Sequence, residues 1–525
     1  MSWSRVGQDR KQLALFSRTL DDEIPSDYVV RLLDQVLQRI DWTPWEATYH
    51  QRLGRPPIHP RILASVLLYG LICRMLASRR LEEAVPMRID FRWLTHDASI
   101  DHSTLSKFRR THPESLRKLF VQIVMVGRKL GMVTLERIAF DGTRVRANNR
   151  RSGTRTPEQL RKEKQRLQEE FDRLSTKADA EDAQEAEDFG GGTSDALPKD
   201  EDRRQSQQKT SQAIARVDAA LAELDSIEQS NESTPARLPT TDPESRYTKN
   251  KDGGFAPNYT PTATVDIPSG LIVDETVIPQ SNEAGELSAS LQQVQENYQL
   301  DSLPREVLAD GLMATAENLR TCETEDVVLY SPAPGTHSGD NPAIRDNLRA
   351  PVPADQIDAL PMRTVTIDGH WEKRFDKQAF VYDATADVYL CPAGQELVHS
   401  SCYTTTDCGR KVKRTRYRAE RSVCEACPFA EKCLSGKSQY RQIDRGEHAD
   451  VIDRQRARMA SAEAQRAYAT RRHAGERPFA VIKQHFGLRQ FLTRGLQSVR
   501  QEWTWAAIAF NLQQLFGPLS CGVSP

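Results

Sequence analysis

Two short apolar runs in this chain of 525 residues end in Asp-Gly, and they limit what the rest can build. In Ile138-Ala-Phe-Asp-Gly-Thr143, Ile138 and Phe140 alternate with smaller neighbours and then stop at Asp141-Gly142. That pattern predicts a short buried strand ending in an acid, followed by a turn. Arg305-Glu-Val-Leu-Ala-Asp310-Gly311 repeats it, and a helical stretch over 314–319 follows. Taken alone, the first is explained by a strand-terminal Asp that bonds its own turn. Two such aspartates plus a glutamate on a late basic helix are the parts of a carboxylate cage. Mg²⁺ takes a few carboxylate oxygens together with water and substrate phosphate, which such a cage offers.

A chain of this length predicts roughly two to four domains. Charged residues make up 28% and mean hydropathy is −0.61, as in a soluble protein. No apolar run approaches the roughly 20 residues that span a bilayer. Residues 1–18 are charged and lack the apolar centre of a secretory signal, so the expected compartment is the cytoplasm, in association with the nucleoid. Net charge is −1, but residues 178–202 hold ten Asp/Glu against Lys199 alone. That local −9 leaves +8 for everything else, concentrated at 137–151, 410–421 and 454–483. A near-neutral total therefore says little against a polyanion partner.

Residues 1–130 predict an all-helical domain. Val29, Leu32, Leu33, Val36, Leu37 and Ile40 follow helical spacing, as do Ile62, Val66, Leu67, Leu68 and Leu71. His59-Pro60 is a helix start, and Asp101 or Ser103 caps another that carries Lys107, Arg109 and Arg110. Such short helices fit a helix-turn-helix-like DNA reader and equally a bundle with solvated charges. Residues 131–330 predict a mixed α/β sheet, with strands at 143–147, 262–267, 271–278, 305–309 and 327–330 besides the first. Within it, 157–229 interrupts. Leu160, Leu167, Phe171 and Leu174, then Ile214, Val217, Leu221 and Leu224, predict an antiparallel helical hairpin with a disordered acidic tip. Residues 331–448 read as a loop and then a Cys-rich β insertion, and 449–525 as helices again.

The third acid is Glu476, which sits among Arg471, Arg472, Arg477 and Lys483. On a continuous helix, Arg472, Glu476 and Lys483 share one face at offsets of four and seven. There the carboxylate holds a metal while the cations grip phosphates. An i, i+4 ion pair on a solvated helix is the plain alternative, and Gly475 and Pro478 allow a kink.

With these residues in view, the chain resembles the DDE transposases of bacterial insertion sequences, in particular the branches numbered five and eleven-eighty-two. His59-Pro60, Ser78-Arg-Arg-Leu-Glu-Glu83, Phe91-Arg-Trp-Leu94 and Asp101-His-Ser-Thr104 with Phe108-Arg-Arg110 resemble their helical domain. Phe140-Asp-Gly-Thr143 resembles the first acid, Ala309-Asp-Gly311 the second, and Arg472-x₃-Glu476-x₆-Lys483 the signature of the third. The run from Phe486 to Gly495 resembles the family's tail. Two departures stand out. The family leaves two residues between a tyrosine and the signature arginine. Here Tyr468 precedes Arg472 by one more, and Arg471 restores the tyrosine spacing at the expense of the glutamate spacing. A tyrosine after the second Asp-Gly is replaced by Leu312-Met313.

The resemblance implies an RNase H-like core in which Asp141, Asp310 and Glu476 bind two Mg²⁺ or Mn²⁺ ions. It also implies cleavage at double-stranded terminal inverted repeats and transfer of the 3′-ends to target DNA by in-line displacement. Arg471, Arg472 and Lys483 would position phosphates. Paired ends imply a homodimer or larger assembly on DNA. A copy that binds the repeats without cutting is the alternative.

Six of the nine cysteines fall within 391–433, and clustering of this kind in a cytosolic chain favours metal over disulfide. Cys424-x₂-Cys427-x₅-Cys433, with Cys391-Pro-Ala-Gly upstream, has spacing suited to a structural tetrahedral Zn²⁺ site, and the family branch has a similar pattern. Cys402 or Cys408 is a substitute ligand. The basic stretch 410–421 between the ligands either tracks DNA or forms a solvated hairpin.

Overall fold

The computed structural model describes residues 19–49, 56–149, 153–189, 198–229, 237–250, 253–334, 341–367, 370–407, 410–434 and 438–520. Its centre is a sheet of β1 (Arg137–Gly142), β2 (Phe255–Asp266), β3 (Ile272–Ile278), β4 (Glu306–Leu308) and β5 (Val328–Tyr330). The spatial order is β3-β2-β1-β4-β5, and the short strands Val145–Arg146 and Arg246–Lys249 also pair with β2. β2 is antiparallel to both its neighbours, while β4 and β5 run parallel to β1, so four of the five strands point the same way. Parallel neighbours need crossovers, supplied by helix Leu287–Tyr298 between β3 and β4 and helix Ala316–Thr324 between β4 and β5. The carboxyl ends of β1, β3 and β4 therefore open on one edge, where sheets of this kind bind ligands.

Side-chain alternation decides which face each acid joins. Ile138 and Phe140 enter the main core, whereas Ala139 packs on the opposite face with Leu308, Met459 and Ala464. Asp141 follows Ala139 at an interval of two, and Asp310 follows Leu308 in the same way. Both acids thus share the face covered by the late helices.

β2 begins at Phe255, seven residues before the expected strand. Pro257 and Pro261 hide it from pattern reading, since proline cannot donate to a ladder. Their carbonyls still serve, each accepting at 2.9 Å, from Ala147 and Thr143 respectively.

The expected boundary at residue 130 does not break the core. Buried residues of helices Val29–Gln38, Pro60–Ile72 and Pro113–Lys129 share one apolar cluster with β1, β3 and the C-terminal helix Leu496–Ser520. Asn511 on that last helix clamps β3, accepting from Ile272 N at 2.8 Å and donating to Ile272 O at 2.7 Å. Trp503 Nε1 donates to Thr262 O at 3.1 Å. These bonds satisfy backbone and indole groups that would otherwise be buried unpaired.

The helical hairpin comprises Pro157–Phe189 and Pro198–Gln229, with Leu160, Leu167, Val217 and Leu224 buried between the arms. The acidic stretch expected as a disordered tip is helical at 178–189 and 198–202, and 190–197 lies outside the described residues. Its Ala, Glu and Gln content favours helix whatever its charge.

The Cys-rich part forms a second sheet of Val381–Asp383, Val388–Leu390, Glu396–Asp407, Arg410–Arg418 and Gln442–Gly446, antiparallel and in chain order. Phe375, Tyr389, Leu397, Tyr417 and Ile443 give it a core of its own. The basic stretch is thus largely a strand of a hairpin. Among the described residues, no helix is long and apolar enough to cross a membrane.

Candidate metal centre

Each aspartate makes the bond that its Asp-Gly turn predicts. Asp141 Oδ1 accepts from Gly142 N at 2.9 Å, and Asp310 Oδ1 accepts from Leu312 N at 2.9 Å. Turn bonding does not explain their convergence. Asp141, Asp310 and Glu283 each offer a carboxylate oxygen, and these atoms lie within 4.8 Å of one another. At such separations two unit charges repel by roughly 3–4 kcal/mol at an effective dielectric of about 20. A cation relieves that repulsion, and a set of oxygen donors suits a hard divalent ion such as Mg²⁺ or Mn²⁺.

Glu283 was not among the residues singled out from the sequence. It precedes the 3₁₀ turn Ala284–Glu286 in the connection after β3. Asn282 Oδ1 accepts from Ala284 N at 3.0 Å, and Asn318 Nδ2 donates to Ala284 O at 2.8 Å, which holds the turn. Glu283 is only 7% exposed. Burial raises its pKa first, and the negative charges of Asp310 and Asp141 push it the same way. Gly142 leaves it room: a Cβ there would fall 2.9 Å from Glu283 Oε1. The sequence signal was an acid in the connection that follows a strand, five residues past Ile278. It lacked the adjoining glycine that marked Asp141 and Asp310.

Helix Arg471–Ala480 packs on β1 beside Asp141. Its register differs from the expected one. A Cβ on Gly475 would lie 3.5 Å from Asp141 Cβ, so position 475 faces the centre. Glu476 points aside, 3.9 Å from Arg472, with side chains 54% and 84% exposed respectively. Glu476 is not part of the carboxylate group. Arg471 turns inward: its Nη1 lies 3.4 Å from Asp141 Oδ2, and its Cζ sits 5.7 Å from the Tyr468 ring centre. The tyrosine spacing therefore selects the arginine that reaches the centre, and by that spacing the residue four further on is glycine.

Lys483 lies in a π-helical turn, Val481–His485, that follows Pro478. The wider turn shifts the helical phase, so the seven-residue offset no longer shares a face with Glu476. Lys483 Nζ instead donates to Thr143 Oγ1 at 2.6 Å and to Arg144 O at 2.7 Å, fixing the turn directly after Asp141.

Farther off, Asp101 caps helix His102–Arg110 by accepting from Thr104 N at 2.9 Å. Lys107 and Arg110 are exposed, as a phosphate contact requires. Arg109, expected beside them, is buried. Its Nη2 donates to Leu76 O at 2.7 Å and its carbonyl accepts from Trp505 Nε1, so it ties helices together and is not a surface cation.

Cys391, Cys424, Cys427 and Cys433 line one cavity of about 30 Å³ with Phe380, Leu397 and Arg441. Gly394, at φ +75°, closes the Cys391 turn and lets Gln395 N donate to Cys391 Sγ at 3.3 Å. Burial pushes the Cys433 thiol up to about 12, and the other three sulfurs push the same way. Among the described residues, no three of these sulfurs lie within 4.8 Å of one another. Cys402 is exposed and lies 3.4 Å from His399 Nε2, away from the cavity, and Cys408 lies outside the described residues.

Residues 390–516 match a family model described as Transposase DDE domain, and residues 18–111 match one described as Transposase domain (DUF772). The first match takes in the four cysteines and helix Arg471–Ala480, while Asp141, Glu283 and Asp310 lie between the two. No curated protein matches the chain. Both matches are to transposase families, whose activity implies a DNA substrate and the use of a divalent metal.

Proposed function

We propose that this protein is a DDE transposase that binds the terminal inverted repeats of its insertion sequence and catalyses metal-dependent strand cleavage and strand transfer. Within that family it belongs with the branches numbered five and eleven-eighty-two. The observation that carries this reading is the convergence of Asp141 and Asp310 at the ends of adjacent parallel strands. The strand order, with β2 alone reversed, supports an RNase H-like core. Asp141 and Asp310 hold the metal; Glu476 on the neighbouring helix is the third acid by its place in the signature, and to reach the metal it would have to turn in from the pair it makes with Arg472. When bound, two Mg²⁺ or Mn²⁺ ions supply the Lewis acidity for an attacking water or 3′-hydroxyl and for the leaving oxygen. Lys483 positions the strand by fixing the turn after Asp141, and Arg471 supplies a cation beside it. Lys107, Arg110 and Arg472 offer exposed charges to the DNA backbone. Ends are paired in a homodimer or larger assembly.

The shared thiol cavity supports a structural Zn²⁺ held by Cys391, Cys424, Cys427 and Cys433. A second reading, an end-binding protein that does not cut, draws on one observation. Glu476 pairs with Arg472 outside the carboxylate group.

The test is incubation of a labelled duplex carrying the terminal repeat with the protein and Mg²⁺. A nick at the repeat end supports the transposase, and binding without any nick supports the second reading.

A further inference from the structure

We propose that Glu283 is a metal ligand of this centre, completing with Asp141 and Asp310 a three-carboxylate cage. The inference rests on reading the site as a divalent-metal centre and adds a residue that the DDE signature does not contain.

Three independent observations carry it. Glu283 offers an oxygen within 4.8 Å of those of Asp141 and Asp310. It is more than nine-tenths buried, beside the negative charges of Asp310 and Asp141, with Arg144 as a weaker opposing attraction. A carboxylate buried among like charges is costly unless a cation completes it. Finally, two features make space for it. Gly142 lacks the Cβ that would strike Glu283 Oε1, and Asn282 and Asn318 both bond the turn that presents it. Geometry also explains why a third ligand from this direction is needed. On helix Arg471–Ala480 the position that faces Asp141 is Gly475, which has no side chain to offer. β3 runs parallel to β1, so the connection after it reaches the same edge of the sheet.

Mn²⁺ binding to the full-length, DNA-free protein, followed by calorimetry or paramagnetic resonance, tests this without relying on activity. Glu283→Gln keeps the shape and removes the charge. It should weaken Mn²⁺ about tenfold or more, as for loss of a metal-orienting group. Glu283→Asp, which keeps the charge, should retain part of the affinity. The metal-free Glu283→Gln protein should melt no lower than wild type, because a repulsive buried charge has gone. Mn²⁺ affinity unchanged in Glu283→Gln but lost in Asp141→Asn would overturn the assignment of Glu283 alone. Full affinity retained in Asp141→Asn as well would overturn the metal-centre reading itself.

Discussion

The carboxylate centre and the thiol cavity were both expected from the sequence as metal sites, yet they are built to different tightness. Three carboxylate oxygens come within 4.8 Å, two at strand ends fixed by the sheet and one before the 3₁₀ turn that follows β3. Four thiols surround a common cavity, but no three sulfurs approach that closely among the described residues. Charge accounts for the contrast. Carboxylates held together at neutral pH repel and need a cation, whereas a thiol such as Cys433, pushed up to about 12, stays neutral and can stand apart. A metal would therefore relieve existing repulsion at the first centre, and at the second it would have to displace protons and draw the ligands inward.

The largest effect should follow loss of a strand-end acid. Asp141→Asn or Asp310→Asn should lower cleavage by roughly a thousandfold or more, given several kcal/mol of charge stabilisation at about 1.4 kcal/mol per factor of ten. Binding of the repeat, measured by gel shift, should persist. Wild-type cleavage by either variant would remove that residue from the cage.

At the thiol cavity, replacing Cys424 and Cys427 together by Ser should abolish bound zinc in metal analysis and lower the melting temperature. Zinc content equal to wild type would refute the ligand set, and the contrast between the centres would then be one of metal against no metal.

Lys483→Ala should cost about 1.5–3 kcal/mol at the turn after Asp141, the usual worth of hydrogen bonds from a charged group. That predicts a ten- to hundredfold fall in cleavage, by about 1.4 kcal/mol per tenfold, with repeat binding little changed. Cleavage at the wild-type rate would mean that the turn holds Asp141 without Lys483.

The smallest effect should come from deleting 178–202, which lies in neither centre. The cooperative melt should shift by no more than about 2 °C, since an acidic, Gly-containing segment buries little apolar surface. A lost cooperative transition would show that the hairpin tip supports the core.

Legibility differed in the same way as the centres. Asp141 and Asp310 could be read because each ends an alternating run and is followed by Gly, so period and turn chemistry agree. Strands β3, β4 and β5 were legible from their short runs of β-branched and apolar residues, within a residue or so at each end. β2 was read only from 262 because Pro257 and Pro261 mask a strand whose ladder there uses their carbonyls. Glu283 lacks the adjoining glycine that marks the two aspartates, and its burial depends on Gly142 and on a turn held by Asn318, both distant in sequence. The shared face of Glu476 and Lys483 holds only for a continuous helix, and the π-helical turn that follows Pro478 moves Lys483 off it. Arg109 sits on a basic stretch like its neighbours, and only its packing under Trp505 distinguishes it.

The most direct test of the central claim is cleavage of a duplex bearing the element's own terminal repeat, titrated with Mg²⁺, comparing wild type with Asp141→Asn. The expected result is a nick at the repeat end that requires Mg²⁺ and disappears in the variant. Repeat binding with no nick at any Mg²⁺ concentration, or a nick that survives Asp141→Asn, would contradict it.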